Sequence, residues 1–160
     1  MSYAMTTKVH RCFADTLDDT RMSLTNHGFG ILTEIDIQAT LKARLDVDVP
    51  AQVILGACRP PLAYAALQVE PSIGVLLPCN IVVRYLDEDT TVVEALDPRV
   101  MVSVTDNDAL SSVADEAWRR LAAALDTRNR GQLSCITMGQ RPHSATRRTR
   151  SFNNPRSHHG

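Results

Sequence analysis

"QVILGACRPPLAYAALQVEPSIGVLLPCNIVVRYL", residues 52–86, decides how this chain folds. Its opening, "QVILGAC", is an almost continuous apolar run with β-branched members and reads as a buried strand. Two prolines follow. Proline is tolerated in a first helical turn, so "PPLAYAALQ" reads as a short helix entered through Pro60 and Pro61. "IGVLLPCNIVVRYL" contains one strand, from Asn80 to Leu86. "DEDT" is then a turn, and "TVVEAL" pairs back as a hairpin partner.

Upstream, "TKVHRCF" (residues 7–13) alternates. Val9, Arg11 and Phe13 face one way, Lys8, His10 and Cys12 the other, which predicts a first strand. "ADTLDDTRMSLTNHGFG" follows as a helix. Asp15 can cap it, Asp18 and Asp19 suit its positive end, and Gly28 can end it in a left-handed conformation. Its apolar stripe is thin: Leu17, Leu24 and Met22. "FGILTEIDI" reads as a second strand, with Ile31, Thr33, Ile35 and Ile37 on one face and Leu32, Glu34 and Asp36 on the other. "QATLKARLD" (residues 38–46) makes a short helix.

Downstream, "DPRVMVSV" is compatible with a strand or a turn of helix. The last helix is the clearest element. Leu110, Val113, Ala114, Ala117, Trp118, Leu121, Ala124 and Leu125 recur at three- and four-residue steps, and Asp106 or Asn107 can cap its start. The expected fold class is α+β: a curved, mainly antiparallel sheet with two main helices packed on one face, in the order β-α-β(4)-α.

After Asp126 this pattern stops. Seven of the 17 basic residues and none of the 18 acidic ones lie beyond it, so residues 1–126 carry a net charge of −8 and the remainder +7. The expected organisation is a single α+β domain, residues 1–126, and a basic tail, residues 127–160. The tail has too few large apolar side chains to offset its ordering entropy, and disorder, or order only against a partner, is expected. Its "RRTR" run could attract nucleic acid. The acidic body disfavours a phosphate-binding surface. A hydrophobic content of 44% and a charged content of 22% are those of an ordinary globular protein. No apolar run approaches the length of a membrane span, and no basic region followed by an apolar one marks a signal peptide, so no membrane partner and a cytoplasmic location are expected.

At "GFGILTEIDIQATLKARL", "ILGACRPPLAYAAL" and "IGVLLPCNIVV" the chain resembles domain-of-unknown-function family 302. The resemblance covers Val9 to Leu125. It implies an α+β domain similar to the TATA-box-binding-protein-like folds, a homodimer, and no established activity. The family often carries Asn after the first cysteine of this stretch, where this chain has Arg59.

Four cysteines, Cys12, Cys58, Cys79 and Cys135, form neither a CxxC nor a zinc-finger spacing. Cys58 ends a strand and precedes a helix whose N-terminus is partly positive, with Arg59 as a neighbouring cation. Both effects favour a reactive thiolate. Cys79 opens the next strand. If the two strands are neighbours, the sulfurs could form a disulfide, attack an electrophile, or share a soft metal such as Cu(I) or zinc. The bland alternative is that both cysteines fill core space as small hydrophobes. Glu34 and Asp36 are candidate acidic members of a pocket beside Cys58, or ordinary solvated residues. Tyr64 is a candidate lining residue or a packing residue. Three functions follow: a non-catalytic domain binding a small molecule or metal near the Cys58 turn, a thiol-dependent redox protein in which Cys79 resolves Cys58, or an interaction module. The cofactor is unknown at this level, and no motif marks a familiar enzyme.

Overall fold

A computed structural model of the chain describes residues 2–126. The tail expected beyond Asp126, with Cys135, lies outside the described residues. Five strands form one antiparallel sheet: β1 (Ala4–Val9), β2 (Gly30–Asp36), β3 (Gln52–Cys58), β4 (Cys79–Asp87) and β5 (Thr90–Leu96). Their order across the sheet is β1-β5-β4-β3-β2. Five helices connect or follow them: α1 (Phe13–Asn26), α2 (Ile37–Leu45), α3 (Pro60–Val69), α4 (Val100–Thr105) and α5 (Ser111–Leu125). The fold is α+β, as the sequence pattern predicts, and the β4–β5 hairpin and the closing helix fall where the pattern places them.

Helices α1 and α5 cover one face of the sheet. Leu55, Ile81, Val83 and Val93 supply the sheet side of the core, and Leu17, Leu24 and Leu121 the helix side. Ser23 of α1 donates a hydrogen bond to the carbonyl of Ala124 in α5 at 2.7 Å, which ties the two helices together. Along β3, Val53, Leu55 and Ala57 are buried beneath the helices, and Gly56 between the last two is buried as well. The partners of Val53, Leu55 and Ala57 on β4 are Val83, Ile81 and Cys79. No helix among the described residues is long and apolar enough to cross a membrane.

Several local expectations shift. β1 ends at Val9, and Phe13 already opens α1. Arg11 continues the alternation but pairs with Asp19 and Asp15 of α1 instead of extending the ladder. Asp15 is not the cap of α1; Cys12 holds that position and Asp15 sits in the first turn. Met22 is exposed, and Thr16 and Thr20 take its place in the buried stripe. Thr20 satisfies its hydroxyl within the helix by donating to the Thr16 carbonyl at 2.7 Å. Gly28 does close α1 with φ of +82°, while the Phe29 N–H returns to the Leu24 carbonyl at 3.0 Å.

β2 carries a bulge at Leu32, between the pairs Ile31–Ala57 and Thr33–Gly56. The extra residue reverses the facing of everything beyond it. Ile31 therefore shares the helix-covered face with Glu34 and Asp36, and Thr33 and Ile35 point to the other face. Ile37 leaves the strand and begins α2, whose cap is Asp36. The ambiguous segment after Asp97 is helical, as α4.

Candidate functional site

The turn from β3 into α3 is built by sequence chemistry. Cys58 ends the strand, Arg59 adopts an extended conformation at the N-cap position, and Pro60 and Pro61 pre-set the first helical turn. The Arg59 carbonyl accepts from the amides of Leu62 and Ala63 at 3.0 Å each. Across the sheet, Ala57 pairs with Cys79, so the start of β4 lies beside the end of β3.

Cys58 and Cys79 both line one small apolar cavity of about 40 Å3. Phe29 after α1, Ala66 of α3, Met101 of α4 and Ala114 of α5 contribute to the rest of its wall. Both cysteines are free thiols, Cys58 half-exposed and Cys79 buried. Burial pushes the Cys79 thiol up to about 11, and the neighbouring Cys58 adds to the effect. Cys79 therefore stays protonated at neutral pH.

Arg59 also borders the cavity. Its guanidinium lies against Gly28, where a Cβ would collide with Nη1, so Gly28 serves both its own left-handed turn and the placement of this cation. The Arg59 Nε is enclosed and has no hydrogen-bond partner among the described residues. The site thus contains two sulfurs, a hydrocarbon wall and one cation without a carboxylate.

The other candidates stand elsewhere. Glu34 accepts hydrogen bonds from Arg21 of α1, one of them from Nε at 3.1 Å. Asp36 accepts from the Ala39 amide at 2.8 Å as the cap of α2. Neither lines the cavity. Tyr64 is 67% exposed on α3 and is also absent from the wall. The sequence pattern does not mark Met101 or the small residues of α5 as lining a cavity. Met101 lies in the segment whose pattern is ambiguous, and Ala114 and Ala117 read there as ordinary core positions.

A small antiparallel α+β domain with a cysteine-bearing apolar cavity at a strand-to-helix turn is the class these features define. The chain matches the model of the family described as "Domain of unknown function DUF302" over residues 5–127, and it belongs to that family. It is similar to the crystal structure of the uncharacterized conserved protein DUF302 from Bacillus stearothermophilus. The identity is 29% and the TM-score 0.73, over 79% of this chain and 98% of that one. No curated protein matches it.

Proposed function

We propose that this is a non-catalytic binding domain whose ligand is a soft monovalent metal ion held between Cys58 and Cys79. The observation that carries the reading is that both cysteines line one apolar cavity, near enough for Cys58 to act electrostatically on Cys79. Its size narrows the ligand. One water needs about 10–15 Å3 by this measure, so about 40 Å3 suits an ion or a very small molecule. Charge narrows it further. Two thiolates and one monovalent cation leave a single negative charge, which Arg59 can offset beside the cavity. Structural zinc takes four donors, and no group of three or more His, Cys, Asp or Glu side chains is placed to hold a metal among the described residues. Thiolates select soft ions such as Cu(I). Free thiols that must remain reduced fit a reducing compartment, so we place the domain in the cytoplasm.

Binding of such an ion must displace the Cys79 proton, so affinity rises with pH. Native mass spectrometry of the protein titrated with Cu(I) under reducing, anaerobic conditions tests the reading. One ion per chain is expected, and its loss in both Cys58→Ser and Cys79→Ser. Absence of uptake, or uptake indifferent to both substitutions, overturns it.

A second reading rests on the unequal exposure of the two thiols. Cys58 is half-exposed beside a cation, and Cys79 is buried in the same wall. That order suits a redox dithiol in which Cys58 meets an oxidant and Cys79 closes the disulfide. Under this reading mild oxidation yields a Cys58–Cys79 disulfide, seen as a two-proton mass loss and one linked peptide.

A further inference from the structure

Strand β1 lies at one end of the sheet and pairs only with β5. The Tyr3 carbonyl accepts from the Asp97 amide at 2.9 Å. Ladder bonds in an antiparallel pair alternate, so Met5 and Thr7 exchange theirs with Ala95 and Val93, and Ala4, Thr6 and Lys8 turn their peptide groups to the open edge. The Ser2 hydroxyl covers Ala4, donating to its carbonyl at 2.9 Å and accepting from its amide at 3.3 Å. No described residue lies across the edge to bond the Thr6 peptide group. The register of β1 is unbroken by any bulge, so this edge is a continuous template for one more strand. Beside it an open groove runs between β1 and the end of α5, walled by Met5, Ala122 and the half-buried ring of Trp118. Arg99 stacks over that ring at 4.4 Å and is itself paired with Asp97. Leu125 and Asp126, the last described residues, line the same groove, so the chain leaves the described structure beside the open edge.

We propose that this edge and groove receive the chain's own continuation: residues 133–138, "LSCITM", add to the sheet as a strand beside β1. The run has the length and residue types of a short strand and lies between Gly131 and Gly139. It holds Leu133, Ile136 and Met138, three of the four large apolar side chains beyond Asp126, the fourth being Phe152. Residues 127–132 join it to Asp126 and can span about 20 Å, which is also about the length of β1. Charge favours the approach, since residues 1–126 carry −8 and the rest of the chain +7. The tether makes pairing intramolecular, at a roughly millimolar effective concentration, so a contact too weak to hold a separate peptide suffices. Main-chain bonds to the Thr6 edge supply the register, and the groove beside Trp118 takes the apolar side chains. The groove shares no residue with the cysteine cavity, and the family model ends at residue 127, so the contact is an addition to the shared domain.

Amide exchange by NMR on the full chain, with fluorescence of Trp118, its single tryptophan, tests this. The Thr6 amide is expected to exchange slowly, and deleting residues 133–138 speeds it by about fivefold or more, the worth of one net hydrogen bond. The same deletion makes Trp118 more accessible to acrylamide. Deleting residues 145–150 removes Arg147, Arg148 and Arg150 but keeps the run, and leaves both readouts unchanged. Fast Thr6 exchange in the full chain overturns the proposal and leaves the edge to a foreign partner. Protection that disappears on dilution overturns it in favour of a second copy. Equal effects of the two deletions overturn it in favour of a charge contact that this run does not make. If the Val83 amide, inside the sheet, speeds up as much as that of Thr6, the deletion acts on the whole fold and the proposal falls.

Discussion

Cys79 stands opposite Ala57 on the neighbouring strand, and this pairing brings its sulfur to the cavity that Cys58 also lines. The same placement deprives Cys79 of water and raises its pKa from 9.0 to about 11. A thiol whose folded pKa is raised stabilises the fold fully below its unfolded pKa, and the benefit disappears as pH rises through the folded value. The contribution is on the order of 2 kcal/mol. Wild-type stability is therefore expected to fall between pH 9.0 and about 11 by more than that of Cys79→Ala. Urea denaturation across that window measures the difference; parallel curves contradict it. In native protein near neutral pH, alkylation should reach Cys58 well before Cys79.

Gly28 and Arg59 form a second coupled pair. Gly28→Ala imposes a side chain on a φ of +82° and pushes it into the Arg59 guanidinium. The expected cost is about 2 kcal/mol, from backbone strain and displacement of the cation together. In an Arg59→Ala background the steric part vanishes and the backbone part remains, so the cost of Gly28→Ala falls but stays measurable. A double-mutant cycle in denaturant reads this coupling; strict additivity refutes it.

The core and the surface should respond differently. Leu121 of α5 is fully buried in the core. Leu121→Ala is expected to cost about 2–5 kcal/mol through lost transfer energy and the cavity left behind. Glu34→Ala breaks an exposed pair with Arg21 and should cost at most about 1 kcal/mol. If Glu34→Ala proves as costly as Leu121→Ala, or abolishes Cu(I) uptake, the carboxylate belongs to the site after all.

What the sequence discloses about this fold follows from where apolar periodicity is intact. β3, the β4–β5 hairpin and α5 are legible because their buried faces consist of hydrocarbon side chains at regular steps. α1 is harder to read, because Thr16 and Thr20 are buried in its stripe but read as polar. The bulge at Leu32 inserts one residue into β2 with no compositional mark, so the facing inferred for Ile31 fails. Arg11 occupies an inward position through its ion pairs with α1, which alternation alone cannot distinguish from a longer strand. At the site, the strand-to-helix turn of Cys58 is visible in "CRPP", and its proximity to Cys79 rests on the strand pairing. The remaining wall comes from Phe29, Met101 and Ala114, which are distant in sequence and unremarked by any motif. Arg59 reads locally as a neighbour of Cys58; only the packing shows it lying over Gly28.

The capping of α2 gives a test of how independently this helix behaves. Asp36 accepts from the Ala39 amide at 2.8 Å, and α2 buries none of its own side chains. Removing an N-cap carboxylate costs about 1 kcal/mol of helix stability. In a helix buried in the core, that loss would appear in the global unfolding transition. In α2 it should appear locally instead: Asp36→Ala speeds hydrogen exchange across the α2 amides and leaves the urea midpoint nearly unchanged. A midpoint shift as large as that of Leu121→Ala would mean that α2 unfolds with the core and is no separate unit.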